Sequence, residues 1–148
     1  MSGLISKKCY YGIKALFDLA RRETDRPVRI GAIAERQHIP IRFLEAILRQ
    51  LKQAGWVDSR RGSEGGYFLI VRPTRIKLIE VIMYFEGDFA QLGGSESGSE
   101  SNNEADYVLI HVWKESRKSL AGVLGRWTIA DMVEKAEADK QYIANFNI

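Results

Sequence analysis

The sequence predicts a mainly α-helical protein with one small β-hairpin and, after the hairpin, one long helix. Apolar residues recur at three- and four-residue spacing on both sides of the hairpin, which is the pattern of amphipathic helices. A glycine-rich connection at residues 62–66 separates two short runs of β-prone residues. The first 86 residues therefore read as helix, helix, helix, hairpin and helix.

The first predicted helix spans residues 6–22, with Ser6 as its N-cap, because a serine hydroxyl accepts a hydrogen bond from a free N–H of the first turn. A turn around Pro27 leads to the second helix at residues 30–37. Both helices are expected to pack through their apolar faces. The inward positions are Tyr10, Ile13, Leu16, Phe17 and Ala20 in the first helix and Ile30, Ile33 and Ala34 in the second.

The third predicted helix begins near Pro40, whose missing N–H costs nothing in a first turn, and stops at Gly55. Strands at residues 56–60 and 67–71 follow it as a hairpin. A short helix, a tight turn, a second helix and a hairpin together make a winged helix-turn-helix. The buried stripe of the third helix is Leu44, Ile47, Leu48 and Leu51, and its outer side is Arg42, Glu45, Ala46, Arg49, Lys52 and Gln53.

Three segments are expected along the chain. A helix at residues 77–85 completes the winged helix-turn-helix domain, which we place at residues 1–86. Residues 87–106 are rich in glycine, serine and glutamate and are expected to form a flexible loop. Residues 107–148 are expected to hold a long dimerisation helix, a short final helix and a tail.

Alternating steps of four and three along the long helix connect five apolar residues and Ser116, which is the spacing of a helix that packs along another helix. Thr128 and Asp131 have the spacing of a capping box that opens the short final helix. The residues assigned to the dimerisation seam are Leu109, Trp113, Leu120, Val123 and Trp127.

Composition excludes several classes of protein. One cysteine and two histidines in 148 residues allow neither an intramolecular disulfide nor a thiolate-rich metal site within one chain. No nucleophile with its base and no phosphate-cradling loop is apparent, so we do not expect an enzyme. No apolar run approaches the roughly 18 residues of a membrane helix, and no secretory signal is visible, so we expect a cytoplasmic protein without a membrane partner.

Charge is divided unevenly along the chain. Residues 1–86 hold 16 lysines and arginines against 9 aspartates and glutamates, whereas residues 87–148 hold 6 against 10. The net charge is therefore +7 for residues 1–86 and −4 for residues 87–148, which is typical of a phosphate-binding module joined to an assembly module. The alternative is that the basic face only keeps the protein soluble.

A helix-turn-helix with a basic outer face fits the major groove of double-stranded DNA. On the third helix we expect Arg42 to pair with a guanine, Glu45 to accept from a cytosine amino group and Ala46 to contact a thymine methyl. In the wing, Arg61 is expected to enter a narrow minor groove, next to Arg60. The phosphate contacts, which add affinity without sequence preference, are assigned to Lys7, Lys8, Arg49 and Lys52.

Several strings of this sequence resemble the winged-helix regulator family that includes the iron-sulfur regulator IscR and the cysteine-metabolism regulator CymR. The resemblance covers about residues 3–138 and is strongest in the glycine-rich wing. The helix of Trp113, which ends at Thr128 and Ile129, is also similar to that family's dimer helix. The resemblance implies a homodimer that reads a pseudo-palindromic operator. The sequence strings that carry the resemblance are Ser6-Lys7-Lys8, Tyr10, residues 30–37, Phe43-Leu44-Glu45 and the wing residues 61–67.

Many members of that family hold an iron-sulfur cluster with three cysteines in the segment that corresponds to residues 87–106. This segment has no cysteine here, and its serine, glutamate and asparagine oxygens are hard donors that do not suit cluster iron. His111 lies one place from the family's histidine ligand. We therefore expect a regulator without a cluster and without another cofactor.

Two readings of the single thiol stay open. Near a helix N-terminus and beside Lys7 and Lys8, Cys9 can have a lowered pKa and serve as a redox site, but a buried, unreactive cysteine is the favoured reading.

Three functions are compatible with the sequence. The first is a DNA-binding transcription regulator, expected to be a bacterial repressor, that answers to an effector metabolite, a thiol change or a partner protein. The second is a winged-helix module that binds another protein. The third, the apo-form of a cluster protein that recruits ligands from elsewhere, ranks last.

Overall fold

The structure is a computed structural model that describes residues 4–22, 26–87 and 103–146. Within these ranges the chain is mainly helical with one antiparallel hairpin, and the predicted fold class is confirmed. A single 3-10 turn, Pro73–Arg75, follows the hairpin. The helices are α1 (Lys7–Ala20), α2 (Ile30–Gln37), α3 (Ile41–Gln53), α4 (Leu78–Glu86), α5 (Glu104–Arg126), α6 (Ile129–Ala138) and α7 (Lys140–Phe146), and the strands are β1 (Val57–Arg60) and β2 (Gly66–Leu69).

Helix α1 lies at the centre of the fold and contacts α2, α3, α4 and α6. It begins as predicted, because the Ser6 hydroxyl accepts a hydrogen bond of 3.2 Å from the N–H of Cys9. Its buried face is rotated from the predicted one: Tyr10 is exposed, whereas Ala15 and Leu19 are buried. The inward assignment of Tyr10 was therefore wrong, because α1 packs against four helices and buries more than one stripe.

The hairpin pairs Val57 with Leu69 at its base and Arg60 with Gly66 at its tip. The linker before α2 adds a single bridge to the other edge of β2, where the backbones of Val28 and Tyr67 exchange two hydrogen bonds of 2.8 Å. Only glycine fits at position 66, because a Cβ there would collide with the carbonyl of Val28. Strand β2 is therefore hydrogen-bonded on both edges, to β1 on one and to the linker before α2 on the other.

The C-terminal helices return to the core. Thr128 and Asp131 form the predicted capping box, with hydrogen bonds of 3.1 and 2.9 Å, and start α6. Thr128 also forms a backbone bridge to Lys77, which places the buried side chain of Ile129 against the core. The tail that followed the predicted final helix contains α7.

Helix α5 begins at Glu104, after the N-cap Asn103, and so starts three residues before the predicted boundary at 107. The remainder of the predicted flexible loop, residues 88–102, lies outside the described residues. None of the 23 residues of α5 is buried in the single chain. Within the described ranges, no helix combines the length and apolar character needed to cross a membrane.

Candidate nucleic-acid interface

The outer face of α3 is exposed and basic. Its predicted apolar stripe is fully buried, which turns the opposite face to solvent. Helical geometry puts Arg42 and Arg49 near the centre of this exposed face, with Glu45 and Ala46 beside them. No carboxylate among the described residues pairs with either guanidinium. Two cations are thus available on one side of a helix that fits the major groove.

The turn before α3 ends α2 sharply. His38 adopts the left-handed conformation (φ 53°, ψ 48°) as the C-cap of α2, and the N–H of Ile39 donates to the carbonyl of Ala34 at 3.0 Å. Ile39 is buried, and Pro40 is the N-cap of α3. This buried anchor holds the two helices of the helix-turn-helix at a fixed angle.

A buried carboxylate that the sequence did not reveal connects α1 to α2. Asp18 is only 2% exposed, and it accepts hydrogen bonds of 2.9 and 2.8 Å from the guanidinium of Arg36 and one of 3.1 Å from the amide of Gln37. Hydrogen bonding to Asp18 raises the pKa of Arg36. The available signal was that Asp18 is the one acidic residue in the sequence of α1 and lies in its last turn.

The two predicted wing arginines have different surroundings. Arg60 lies in β1 with its guanidinium carbon 5.5 Å from the ring centre of Phe68, so part of its side chain packs on the hairpin. Arg61 is exposed directly before Gly62, whose φ of 111° turns the chain at the tip. Arg61 is therefore the better placed of the two to enter a groove.

Two further arginines that sequence reasoning missed lie at the base of the wing. Arg29 donates a hydrogen bond to the carbonyl of Ser63, and this contact ties the wing loop to the start of α2. Arg26 and Arg29 line one cleft together with Arg60 and Arg61. The signal in the sequence was a pair of arginines three residues apart in the turn before α2, which folds back beside the hairpin.

Lys52 joins α3 to the hairpin. Its ammonium lies 3.3 Å from the carboxylate of Asp58 and 2.9 Å from the hydroxyl of Ser59. The N–H of Ser59 and the ammonium of Lys52 lower the pKa of Asp58, in that order of size. The charge of Lys52 is therefore partly neutralised within the chain, unlike that of Arg49.

This difference predicts unequal effects on DNA binding. A side chain that neutralises one phosphate contributes about one unit to the slope of log K against log salt. We expect Arg49→Ala to lower the slope by about one unit and Lys52→Ala to lower it by less than half as much. Titrations of one labelled duplex over a series of salt concentrations measure both slopes, and a larger loss for Lys52→Ala would contradict the pairing.

Lys7 and Lys8 are exposed at the first turn of α1. Neither forms an ion pair with a carboxylate in the part of the chain that the structure describes. Both ammonium groups are therefore available to an anionic partner.

Comparison with known proteins decides the family. The model of the Rrf2 family, described as an iron-dependent transcriptional regulator, matches residues 5–135. The chain belongs to the Rrf2 family. It is 35% identical over 137 residues to an HTH-type transcriptional regulator of Synechocystis, with 90% of each chain covered. The predicted class, a transcriptional regulator and not an enzyme, is confirmed.

Two solved structures show that the Rrf2 fold is shared. IscR from T. potens has a TM-score of 0.70 and 36% sequence identity, and the match covers 89% of this chain and 87% of the other. CymR, the global cysteine regulator of B. subtilis, has a TM-score of 0.73 and 27% identity, with 88% and 96% covered. The predicted resemblance to IscR and CymR is confirmed.

The iron in the Rrf2 description does not fit the residues of this chain. The sequence contains one cysteine, and that thiol is completely buried. In residues 4–22, 26–87 and 103–146, no three histidine, cysteine, aspartate or glutamate side chains converge on a point where they could hold a metal. His111 is exposed on α5, with Glu115 4.0 Å away. An iron-sulfur cluster therefore has no thiolate ligand set within this chain.

The environment of Cys9 favours the unreactive reading of this thiol. Burial, together with the negative charge of Glu86, raises the pKa of Cys9 to about 12. The alternative, in which neighbouring lysines and the helix N-terminus lower the pKa, is not supported, because the thiol points into the core and away from solvent. Cys9 is thus a small apolar core residue.

The raised pKa predicts slow thiol chemistry. Because the thiol is protonated at neutral pH and inaccessible, we expect the folded protein to resist iodoacetamide at pH 7–9, with a rate that depends on opening of the core. Protein unfolded in urea is the control and should react completely. Mass spectrometry reads the modification, and rapid alkylation of the folded protein would contradict the buried thiol.

Proposed function

We propose that this Rrf2 protein is a homodimeric transcriptional regulator that reads a pseudo-palindromic operator through α3 and the hairpin. The observation that carries the proposal is the exposed face of α3 beside the arginine-bearing wing, where Arg42 and Arg49 have no carboxylate partner among the described residues. A dimer that occupies a promoter excludes other proteins from the same duplex, so we expect it to repress. A DNA-binding regulator works where the chromosome lies, which makes the cytoplasm its proposed location.

Exposure and charge support a division of roles among the DNA-binding residues. Arg42, Glu45 and Ala46 are exposed early in α3, where a recognition helix meets base edges. Arg49, with Lys7 and Lys8 of α1, supplies free positive charge for phosphates, and Lys52 supplies less because it pairs with Asp58. Arg61 is proposed for the minor groove, with Arg60 beside it.

The exposed apolar face of α5 supports a homodimer. Trp113 and Leu109 are 50% and 48% exposed, and Val123 and Trp127 are exposed as well. Leu120 is different, because it is partly buried and packs against the chain's own core. Exposed aromatic and aliphatic surface gathered along one helix is typical of a protein–protein interface, and a second α5 would cover that surface. The proposed seam keeps all five assigned residues, Leu109, Trp113, Leu120, Val123 and Trp127, and Leu120 is the one that also contacts the core of its own chain.

An Arg61→Ala variant tests the proposed DNA reading. Loss of the wing cation should weaken binding to a duplex with an A-tract beside each half-site by about tenfold, and binding to a G·C-rich version by less. Lys140→Ala, which removes one exposed cation from α7, is the matched control and should bind as the parent does. Fluorescence anisotropy with labelled duplexes measures both.

Two results would contradict this reading. If the parent protein binds random and genomic duplexes equally at every salt concentration, it does not read sequence. If Arg61→Ala and Lys140→Ala lose affinity equally, the wing has no special role. Specific recovery of one stoichiometric protein in the absence of DNA preference would favour the alternative, a protein-binding winged helix.

A further inference from the structure

A second basic cleft lies between the C-terminal end of α1 and the outer edge of β2. Its volume is about 580 Å³, which is within the range of pockets for small molecules. Its floor is apolar and includes Leu19, Val28 and Leu69. Four arginines, Arg22, Arg26, Arg60 and Arg72, surround that floor.

Among the described residues, the four arginines have no carboxylate partner of the kind that Arg36 and Arg21 have. Arg36 pairs with Asp18, and Arg21 pairs with Glu137 at 2.9 Å. By contrast, no carboxylate of the described residues lies within ion-pair distance of the four guanidinium groups around the cleft. Like charges gathered around one concave surface repel one another, and an anion placed among them relieves that repulsion.

The edge of β2 adds backbone groups to the same cleft. Tyr67 uses its N–H and its carbonyl to bond Val28 on the outer edge of the strand. In an antiparallel strand the backbone N–H and carbonyl groups of successive residues point to opposite edges, so those of residues two apart point to the same edge. The N–H and carbonyl of Leu69 therefore point to the same edge as those of Tyr67. No described residue outside the hairpin bonds these Leu69 groups. Leu69 therefore brings an N–H donor to a cleft that four arginines also line.

We propose that this cleft binds a small metabolite anion, specifically a monocarboxylate with a compact apolar body. The carboxylate pairs with Arg72 and its neighbouring arginines, for which planar bidentate geometry is well suited. The apolar body covers Leu19 and Leu69 and so gains from leaving water. A free phosphate gains only the charge interaction, because it has no surface to place on the apolar floor.

The position of Arg60 and Arg26 couples this site to the wing. Both residues line this cleft and also the cleft that contains Arg61. A bound carboxylate neutralises positive charge next to the wing and so weakens its attraction to DNA phosphates. This regulatory step rests on the proposed DNA-binding function, whereas the ligand site itself does not.

The test uses the full-length protein labelled with ¹⁵N and benzoate as the probe. We expect saturable amide shifts confined to Leu69 and the other residues around the cleft. Benzamide, the neutral isostere, and inorganic phosphate at equal concentration should shift them much less. Arg72→Gln should weaken benzoate binding about tenfold, and Arg75→Gln, an exposed arginine outside the cleft, should leave it unchanged.

Anisotropy titrations with labelled DNA at constant ionic strength measure the coupling. Benzoate should weaken DNA binding of the parent and of Arg75→Gln but not of Arg72→Gln. Shifts that phosphate reproduces equally, or no saturable shift with benzoate, would overturn the site. Benzoate binding without any change in DNA affinity would overturn the regulatory step. A protein that binds benzoate but no DNA would refute the proposed function and leave the site standing.

Discussion

Replacing Trp113 by arginine is expected to convert the proposed dimer to a monomer and to weaken operator binding roughly 100-fold or more. The reason is the exposed apolar face of α5, where Trp113 is half exposed in the single chain. A charge in the centre of a buried helix–helix seam must be desolvated without a partner, which opposes association. A monomer also loses the contacts with the second half-site. In a dimer, once one subunit is bound, the other meets its half-site at a high effective concentration.

His111→Arg is the matched control for the dimer prediction. It adds the same side chain to the same helix, but helical geometry places it on the side opposite Trp113. Analytical ultracentrifugation and DNA titration of both variants separate a seam effect from a general charge effect. Trp113→Arg protein that sediments as a dimer and binds like the parent would show that α5 is not the interface.

Removing Arg36, the partner of the buried carboxylate of Asp18, is expected to cause the largest loss of stability among the variants proposed here. Arg36→Leu leaves Asp18 without its ion pair inside the core and should lower the free energy of unfolding by about 3 kcal/mol. That is a large share of the 5–15 kcal/mol that is typical of domains. Urea denaturation followed by circular dichroism measures the change.

The double variant Asp18→Leu/Arg36→Leu distinguishes an uncompensated charge from a lost contact. Removing both charges takes away the desolvation penalty, so the double variant should recover much of the stability that Arg36→Leu loses. A double variant less stable than Arg36→Leu would mean that packing, not the unpaired carboxylate, dominates at this position.

Apolar spacing and capping residues predicted most of the fold, because they indicate which face of a helix is buried and where the helix begins. The stripe of α3, the Ser6 cap and the capping box at Thr128 each depend on residues a few positions apart, and the structure contains all three. A glycine-rich string after three helices was enough to place the hairpin.

Contacts between distant residues could not be predicted in this way. The pairing of Asp18 with Arg36 and that of Lys52 with Asp58 depend on how one element packs on another. The periodicity of a single element does not encode that packing. Tyr10 was misassigned for the same reason, because α1 contacts several helices and buries more than one stripe. Arg26 and Arg29 lie beside the wing because the bridge between Val28 and Tyr67 holds the segment before α2 against β2. The sequence pattern does not show that bridge.

Selection of binding sites from a random duplex library, followed by sequencing, shows whether the protein reads DNA as a symmetric dimer. We expect an enriched pseudo-palindrome whose half-site centres are separated by about 10 bp or a multiple of it, as two symmetry-related α3 helices require. Library selection with Glu45→Ala should relax the preference at one position in each half-site. Enrichment of single, unpaired half-sites, or of no motif at all, would contradict a dimer that presents the basic face of α3 to DNA.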